Sequence, residues 1–272
     1  MDYKYFKKIG RKLPCLGMGT WGIGGKFRER DSTLDELWIS GLKKGLELGL
    51  TLIDTAEVYG EGRSEELVGT AIQGYPREDL FIVSKVWPNN AGQEKIFKSA
   101  EASCKRLGTY IDLYLLHWPS DNIPLKETMV CMEQLVSKGL IRYIGVSNFE
   151  LNQLEEANNY LSRNELVSVQ NQFSLKYRKY EGDVIPFTER EGMMFMAYTP
   201  IEKGALSKDQ FLIKIGQKYG KTGIQVALNW LLYFKSVVAI PKATKEEHIE
   251  ENLGSVGWRL NKKDWEAIGV RF

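Results

Sequence analysis

The 272 residues carry 37 Lys and Arg against 35 Asp and Glu, a net charge of only +2 that offers no electrostatic handle for nucleic acid or an anionic membrane. Hydrophobic residues at 43 % and charged ones at 26 % are ordinary for a globular protein, and no apolar run approaches the ~20 residues of a membrane helix. Three scattered cysteines (Cys15, Cys104, Cys131) form no CxxC, the N-terminus lacks an apolar signal core, and there are two histidines, which points to a reducing, cytoplasmic compartment and away from a disulfide frame or a His-rich metal site.

Residues 1–15 alternate aromatic and basic side chains and turn at Gly10-Arg11-Lys12, the pattern of a β-hairpin ahead of the main fold. Gly17-Met-Gly19-Thr-Trp-Gly22 then matches GxGxxG literally. A dinucleotide fingerprint needs a helix to open at that loop, but glycine-rich loop and charge follow, so no Rossmann unit is inferred. A first strand is expected at 16–20. Leu34, Leu37, Trp38, Leu42, Leu46 and Leu50 repeat at helical spacing over roughly 34–49, and an apolar strand follows at 51–56. Further strands are expected at 80–86, 111–119, 141–148, 166–172, 193–200 and 237–242. Helices fall between them, opening near Ser64, at 93–107, at 125–138, from Glu150, at 180–191, at 207–219 and at 223–233, with one more at 245–252.

Alternation of this kind implies parallel strands joined by helical crossovers, and eight units close as a (β/α)8 TIM barrel behind an N-terminal β-hairpin. Barrel strands are covered on both faces, which accounts for their near-continuous apolar runs. No linker, repeat or low-complexity stretch interrupts the chain, so residues 1–272 are expected to form a single domain.

In such a barrel the active site lies at the C-terminal strand ends. The expected strands finish on Thr20 and Trp21, Asp54, Lys85, His117, Ser147 and Asn148, Gln170, Tyr198 and Lys242. A buried acid or lysine is costly alone, so Asp54 and Lys85 on neighbouring strands are expected to pair. Tyr59, on the loop after Asp54, can hold its phenol over that pair. No nucleophilic cysteine, serine–histidine pair or metal cluster is apparent; what remains is a phenol beside an ammonium and an imidazole. The cation is expected to lower the Tyr59 pKa toward neutrality, making the phenol a general acid. Asp54 would balance Lys85, and His117 would hydrogen-bond a substrate oxygen. Such a set suits protonating a carbonyl oxygen while hydride reaches its carbon. A barrel lysine can also form a Schiff base, which keeps a lyase reading of Lys85 open.

The chain resembles the aldo-keto reductase family over nearly its whole length. Gly19-Thr-Trp, Asp54-Thr-Ala-Glu-Val-Tyr59-Gly, Val83-Ser-Lys85, Leu115-Leu-His117-Trp, Gly145-Val-Ser-Asn148-Phe, Val169-Gln170, Ala197-Tyr198-Thr-Pro and Ile240-Pro-Lys242 through Glu251-Asn252 fall in that family's order and spacing. The resemblance implies a (β/α)8 barrel binding NADPH, or less often NADH, and reducing a small-molecule carbonyl substrate. It assigns the catalytic tetrad to Asp54, Tyr59, Lys85 and His117. It places Ser147, Asn148 and Gln170 on the nicotinamide carboxamide and Tyr198 against its ring. Thr199, Ile201 and Lys203 follow the pyrophosphate, and Gly19, Thr20 and Trp21 border the cofactor. Lys242, Thr244, His248, Glu251 and Asn252 surround the adenosine end. Trp21, Trp87 and Trp118, with Tyr59 and His117, line the substrate pocket.

Two departures from the family pattern stand out. The segment Pro241-Lys242-Ala243-Thr244 replaces Pro-Lys-Ser, and His248 stands where an arginine is usual. Losing a fixed bidentate charge weakens 2′-phosphate recognition, and a histidine pairs with that phosphate as a cation only when protonated. NADPH stays the expected cofactor, with NADH possible, because Lys242 is retained. The chain also stops at Phe272, soon after the Lys263-Asp-Trp265 helix, so no long C-terminal loop is expected over the substrate pocket. A cofactor-binding regulatory or scaffold member of the same family is the alternative to an active reductase.

Overall fold

Each barrel strand starts in a run of β-branched, aromatic or aliphatic residues and ends where the chain meets a polar group, a proline or a left-handed turn. The structure, a computed structural model, describes residues 1–272. A hairpin of β1 (Tyr3–Phe6) and β2 (Arg11–Pro14) leads into β3 (Met18–Gly19), and a second small hairpin pairs β4 (Gly25–Lys26) with β5 (Glu29–Arg30). The other barrel strands are β6 (Leu52–Asp54), β7 (Phe81–Val86), β8 (Ile111–Leu116), β9 (Ile141–Ser147), β10 (Leu166–Gln172), β11 (Met194–Tyr198) and β12 (Val237–Ala239). The helices are α1 (Asp35–Glu47), α2 (Arg63–Ala71), α3 (Gln93–Leu107), α4 (Leu125–Ser137), α5 (Leu151–Asn159) and α6 (Val184–Glu191). Between β11 and β12 lie α7 (Gln210–Gln217) and α8 (Gly223–Leu231); α9 (Glu246–Leu253) and α10 (Lys262–Arg271) follow.

Strands β3 and β6 to β12 form one eight-stranded parallel sheet in sequence order. Its two ends meet: the backbone of Gly17 donates to Ala239 O at 2.9 Å, that of Ala239 to Cys15 O at 3.0 Å, and that of Gly19 to Pro241 O at 3.2 Å. Close approach on either side of β3, by β6 at Gly17 and by the seam at Gly19, dictates two glycines. A Cβ on Gly17 would stand 2.5 Å from a Leu52 methyl, and one on Gly19 would stand 2.6 Å from Ile240 O. Gly19, expected to border the cofactor, is therefore required in the first place by barrel closure.

Two apolar shells hold the barrel. Inside it, Leu52, Phe81, Val83, Leu113, Leu115, Met194 and Val238 meet Phe6, Ile9 and Leu13 of the first hairpin, which plugs the N-terminal end. Outside it, the other face of each strand packs on the helices, with Trp230, Tyr114, Phe149 and Phe195 among the fully buried side chains. Burial of this kind contributes roughly 25 cal/mol per Å² of apolar surface.

Element bounds differ from expectation where local hydrogen bonding decides them. The helix expected from 180 starts at Val184, where the Asp183 side chain accepts from its N–H, and that expected from 207 starts after Asp209, which accepts from Phe211 and Leu212 N–H. The strand expected at 193–200 ends at Tyr198 because Thr199 adopts φ +51°. The β4–β5 hairpin was expected to be plain loop; four residues of strand give no readable alternation.

Candidate active site

Strand β6 delivers Asp54 and β7 delivers Lys85 to adjacent positions at the C-terminal end of the barrel. Lys85 is fully buried, and its ammonium donates to Asp54 Oδ2 and Thr55 O, both at 2.8 Å, and to Tyr59 Oη at 3.2 Å. Gln170 on β10 reaches across the barrel to donate to Asp54 Oδ1 at 2.7 Å. All three ammonium protons and both carboxylate oxygens are thus engaged, the condition under which a buried pair is tolerated. The loop carrying Tyr59 is bent by Gly60 (φ +56°) and Gly62 (φ +84°), and a Cβ on Gly60 would stand 1.9 Å from Gly24 O. Only glycine lets the chain turn back there with the phenol over Lys85.

Asp54 is held from behind by a chain of hydroxyls. Thr55 donates to Ser64 Oγ at 3.0 Å, Ser64 to Thr20 Oγ1 at 2.8 Å, and Thr20 to Asp54 O at 2.9 Å. Thr20 was expected to border the cofactor. It is completely buried, with its hydroxyl committed on both sides, so its side chain serves the Asp54 backbone instead.

The electrostatics correct one expectation. Burial raises the Tyr59 pKa above its usual value; the Lys85 ammonium works in the opposite direction and does not overcome it. The phenol therefore stays protonated across neutral pH. For Lys85 burial works against the ammonium, but Asp54 and then Tyr59 prevail and its pKa is raised. With its three protons engaged by Asp54, Thr55 and Tyr59, the ammonium is not a free amine, which speaks against the Schiff-base reading of Lys85. His117 titrates well below its usual 6.5, through burial first and the Lys85 charge second, so the imidazole is neutral. Its Nδ1 is buried without a partner. An orphaned N–H costs more than an orphaned lone pair, so the proton belongs on Nε2.

Around this centre lies an aromatic rim. Trp21 packs edge-on to Tyr59 at 5.0 Å, Tyr59 lies 5.7 Å from the His117 ring, and Trp87 lies 5.4 Å from it. Trp118 follows His117 in sequence with its ring exposed, and makes no ring contact with the others. Phe27, from the turn between β4 and β5, packs on Trp87 at 4.8 Å and bridges to the Tyr59 backbone. Phe27 and its neighbour Arg28 were not identified from sequence. The Gly24-Gly25 pair was their only signal, since Gly25 takes φ +119° with Glu29 O where a Cβ would sit.

Next to the rim, Ser147, Asn148, Gln170 and Tyr198 form one polar wall. Asn148, at φ +63°, donates to His117 O and Ser147 Oγ and accepts from the Tyr198 hydroxyl at 2.8 Å. Ser147 in turn donates to Gln170 O. Gln170 Oε1 accepts from no protein group and is the wall's uncommitted acceptor, a fit for an amide N–H₂. The loop after β11 is strained: Thr199, Glu202 and Lys203 all have positive φ, with half-buried Ile201 between them. Non-glycine strain of this density concentrates at ligand clamps. Beyond the seam, Lys242 is exposed, Thr244 and Glu251 are half-buried and Asn252 is buried. His248 stands on the outer face of α9, its side chain 59 % exposed, with Nε2 3.9 Å from Glu247. The mouth and the α9 rim are thus separate clusters.

A family model described as "Aldo/keto reductase family" matches residues 15–269. The chain is 39 % identical to methylglyoxal reductase YeaE of Escherichia coli, over 88 % of this chain and 84 % of that protein. Its fold superposes with a TM-score of 0.95 on a thermostable aldo-keto reductase crystallised with the inhibitor epalrestat, at 43 % identity and over 99 % of both chains. An aldo-keto reductase of Klebsiella pneumoniae crystallised with NADPH gives a TM-score of 0.91 at 32 % identity, over 100 % of this chain and 96 % of that one.

Proposed function

The chain belongs to the aldo/keto reductase family, and on that premise we propose that it reduces small aldehydes and ketones to alcohols with NADPH, with Tyr59 as proton donor. Small α-dicarbonyl compounds are natural candidates, since relatives at 39 % and 34 % identity are named methylglyoxal reductase and glyoxal reductase. The observation that carries the reading is the buried Tyr59 hydroxyl, held 3.2 Å from Lys85 Nζ and packed beside the His117 ring.

NADPH, when bound, supplies the hydride. Gln170 Oε1 and the wall of Ser147 and Asn148 would hold its carboxamide, Tyr198 would cover its ring, and Lys203 and Lys242 would meet its phosphates. The His117 Nε2–H orients the substrate carbonyl oxygen toward Tyr59. As negative charge develops on that oxygen, Tyr59 releases its proton to it and Lys85 stabilises the phenolate left behind. A raised phenol pKa suits this order, because an alkoxide is far more basic than a phenolate and the proton is not lost to solvent beforehand. Asp54 keeps Lys85 charged, and Trp21, Trp87 and Phe27 shield the reacting atoms from water.

Tyr59→Phe tests the assignment. Turnover of methylglyoxal should fall by ~10²–10⁴, while NADPH binding, followed by quenching of tryptophan fluorescence, stays unchanged. Near wild-type turnover would show that another group delivers the proton.

A further inference from the structure

We propose that Arg28 forms an anion-binding subsite at the pocket mouth, so that the preferred substrates are carbonyl compounds bearing a carboxylate at the end remote from the reacting carbon. This rests on the reductase function proposed above and names its substrate class.

Three independent observations point to the subsite. The first is location. Arg28 follows Phe27 in the β4–β5 turn, its N–H donates to Val58 O at 2.9 Å, and the same turn bridges to Tyr59. The arginine is therefore fastened to the catalytic loop itself. Its guanidinium carbon lies 5.4 Å from the Phe27 ring centre and 5.8 Å from that of Trp87, whose edge touches His117. One aromatic ring separates the cation from the imidazole.

The second is valence. Neighbouring Arg30 pairs with Glu66, and Arg63 with Asp35 and Glu66. Arg28 forms no ion pair, and its side chain donates to no protein acceptor. Asp31 accepts from Thr33, Glu57 accepts from Trp87 N–H and Asn90, and the adjacent Glu29 and Glu61 form no ion pair with Arg28. All of its donors are available in a planar fork that matches a carboxylate.

The third is backbone strain. Arg28 sits at φ +51°, where glycine would be at ease and a side chain is disfavoured. That φ is what the second central position of the two-residue β4–β5 turn requires, and an arginine rather than a glycine bears its cost there. The exposed guanidinium stands within cation–π range of both rings, which limits the side-chain freedom left to lose when an anion binds. The apolar part of a substrate would lie along Trp87 and Phe27, with its carbonyl at Tyr59 and His117 and its carboxylate on Arg28.

The test compares 4-formylbenzoate with its methyl ester, a pair alike in shape and different in charge. In the wild type, Arg28→Ala and Arg28→Lys, kcat/KM is measured for both with NADPH. Arg28→Ala should lower kcat/KM for the acid about tenfold, mainly through KM, and leave the ester within about twofold, as expected for a charge pair partly screened by solvent. Arg28→Lys should recover part of the loss, and added salt should erode the wild-type preference. An acid-to-ester ratio unmoved by Arg28→Ala, or an equal loss on both, overturns the subsite. Calorimetric titration of 4-(hydroxymethyl)benzoate and its methyl ester into the NADP⁺ complex gives a readout free of turnover. Tighter acid binding that vanishes in Arg28→Ala supports the subsite even if no carbonyl is reduced, whereas failure to reduce the ester in the wild type would count against the reductase function alone.

Discussion

The barrel mouth and the α9 rim, two ends of one candidate cofactor groove, are built on opposite terms. At the mouth, Asp54, Lys85 and Tyr59 are at most 7 % exposed, and Asp54 alone receives Lys85 and Gln170. At the rim, His248 is 59 % exposed, with a single long contact to Glu247, and Lys242 is exposed though partial burial lowers its pKa. The difference follows from what each end has to do. Moving a proton requires a desolvated donor whose geometry and charge state are set beforehand. Attracting a phosphate requires only positive charge within reach, and water and salt dilute its effect. Substitutions at the mouth should therefore act as switches, and those at the rim as adjustments.

The largest expected effect comes from Lys85→Met, which keeps length and removes charge. Turnover should fall by ~10²–10⁴, and breaking the buried pair should cost about 3–5 kcal/mol of stability, read by urea unfolding. With the lowering influence of Lys85 gone and that of Asp54 left, the Tyr59 pKa rises further. Any residual rate should then show its alkaline limb at higher pH than the wild type. A variant with ordinary turnover would dissolve the contrast between the two ends.

His117 gives an effect of intermediate size. Its folded-state pKa lies well below 6.5, so on acidification the unfolded chain takes up a proton before the folded one does. Stability contributed by the neutral, buried ring is complete above the unfolded pKa and declines as pH falls below it, by up to ~1.4 kcal/mol per pH unit. Urea unfolding at pH 7 and pH 5 should show this decline in the wild type and its loss in His117→Asn. Equal pH dependence in both proteins would mean that the ring is hydrated.

The smallest effect belongs to the rim. His248→Arg should tighten NADPH at pH 8 roughly threefold, the modest return of an exposed charge, and leave NADH unchanged. Dissociation constants for both cofactors, at low and high salt, check it. An effect as large as those at the mouth would show that His248 becomes buried on binding.

The same contrast explains what was legible in the sequence. Asp54, Lys85, His117, Gln170 and Tyr198 announce themselves because a polar residue ending an apolar strand run stands out against its period. The barrel was legible for the same reason, with bounds shifted where Asp183, Asp209 or Thr199 intervened and strands 111–119 and 237–242 ending early, at Leu116 and Ala239. The sign of the Tyr59 shift was not, since it depends on how completely Ala56, Val58 and the neighbouring rings exclude water. Nor was the role of Thr20, whose partner Ser64 lies 44 residues away. Phe27 and Arg28 escaped notice because a turn between two-residue strands leaves no periodic trace.

The seam between the first and last barrel strands carries a consequence for how the protein comes into being. Gly17 and Ala239 are more than two hundred positions apart, yet their hydrogen bond completes the ring. Closing so long a loop costs entropy that nearby pairings do not, so the seam is a late event in assembly. Strands β3 and β6 to β12 pair in sequence order and can zip progressively, so Thr20 meets Asp54 early, whereas Gly19 reaches Pro241 only when the circle shuts. During synthesis the growing chain would hold a nearly finished sheet with two open edges until residues near 240 leave the ribosome. The hydroxyl chain from Thr20 to Asp54 joins neighbouring strands and precedes that closure; the Gln170 amide that crosses the barrel to Asp54 is fixed only once the ring is shut.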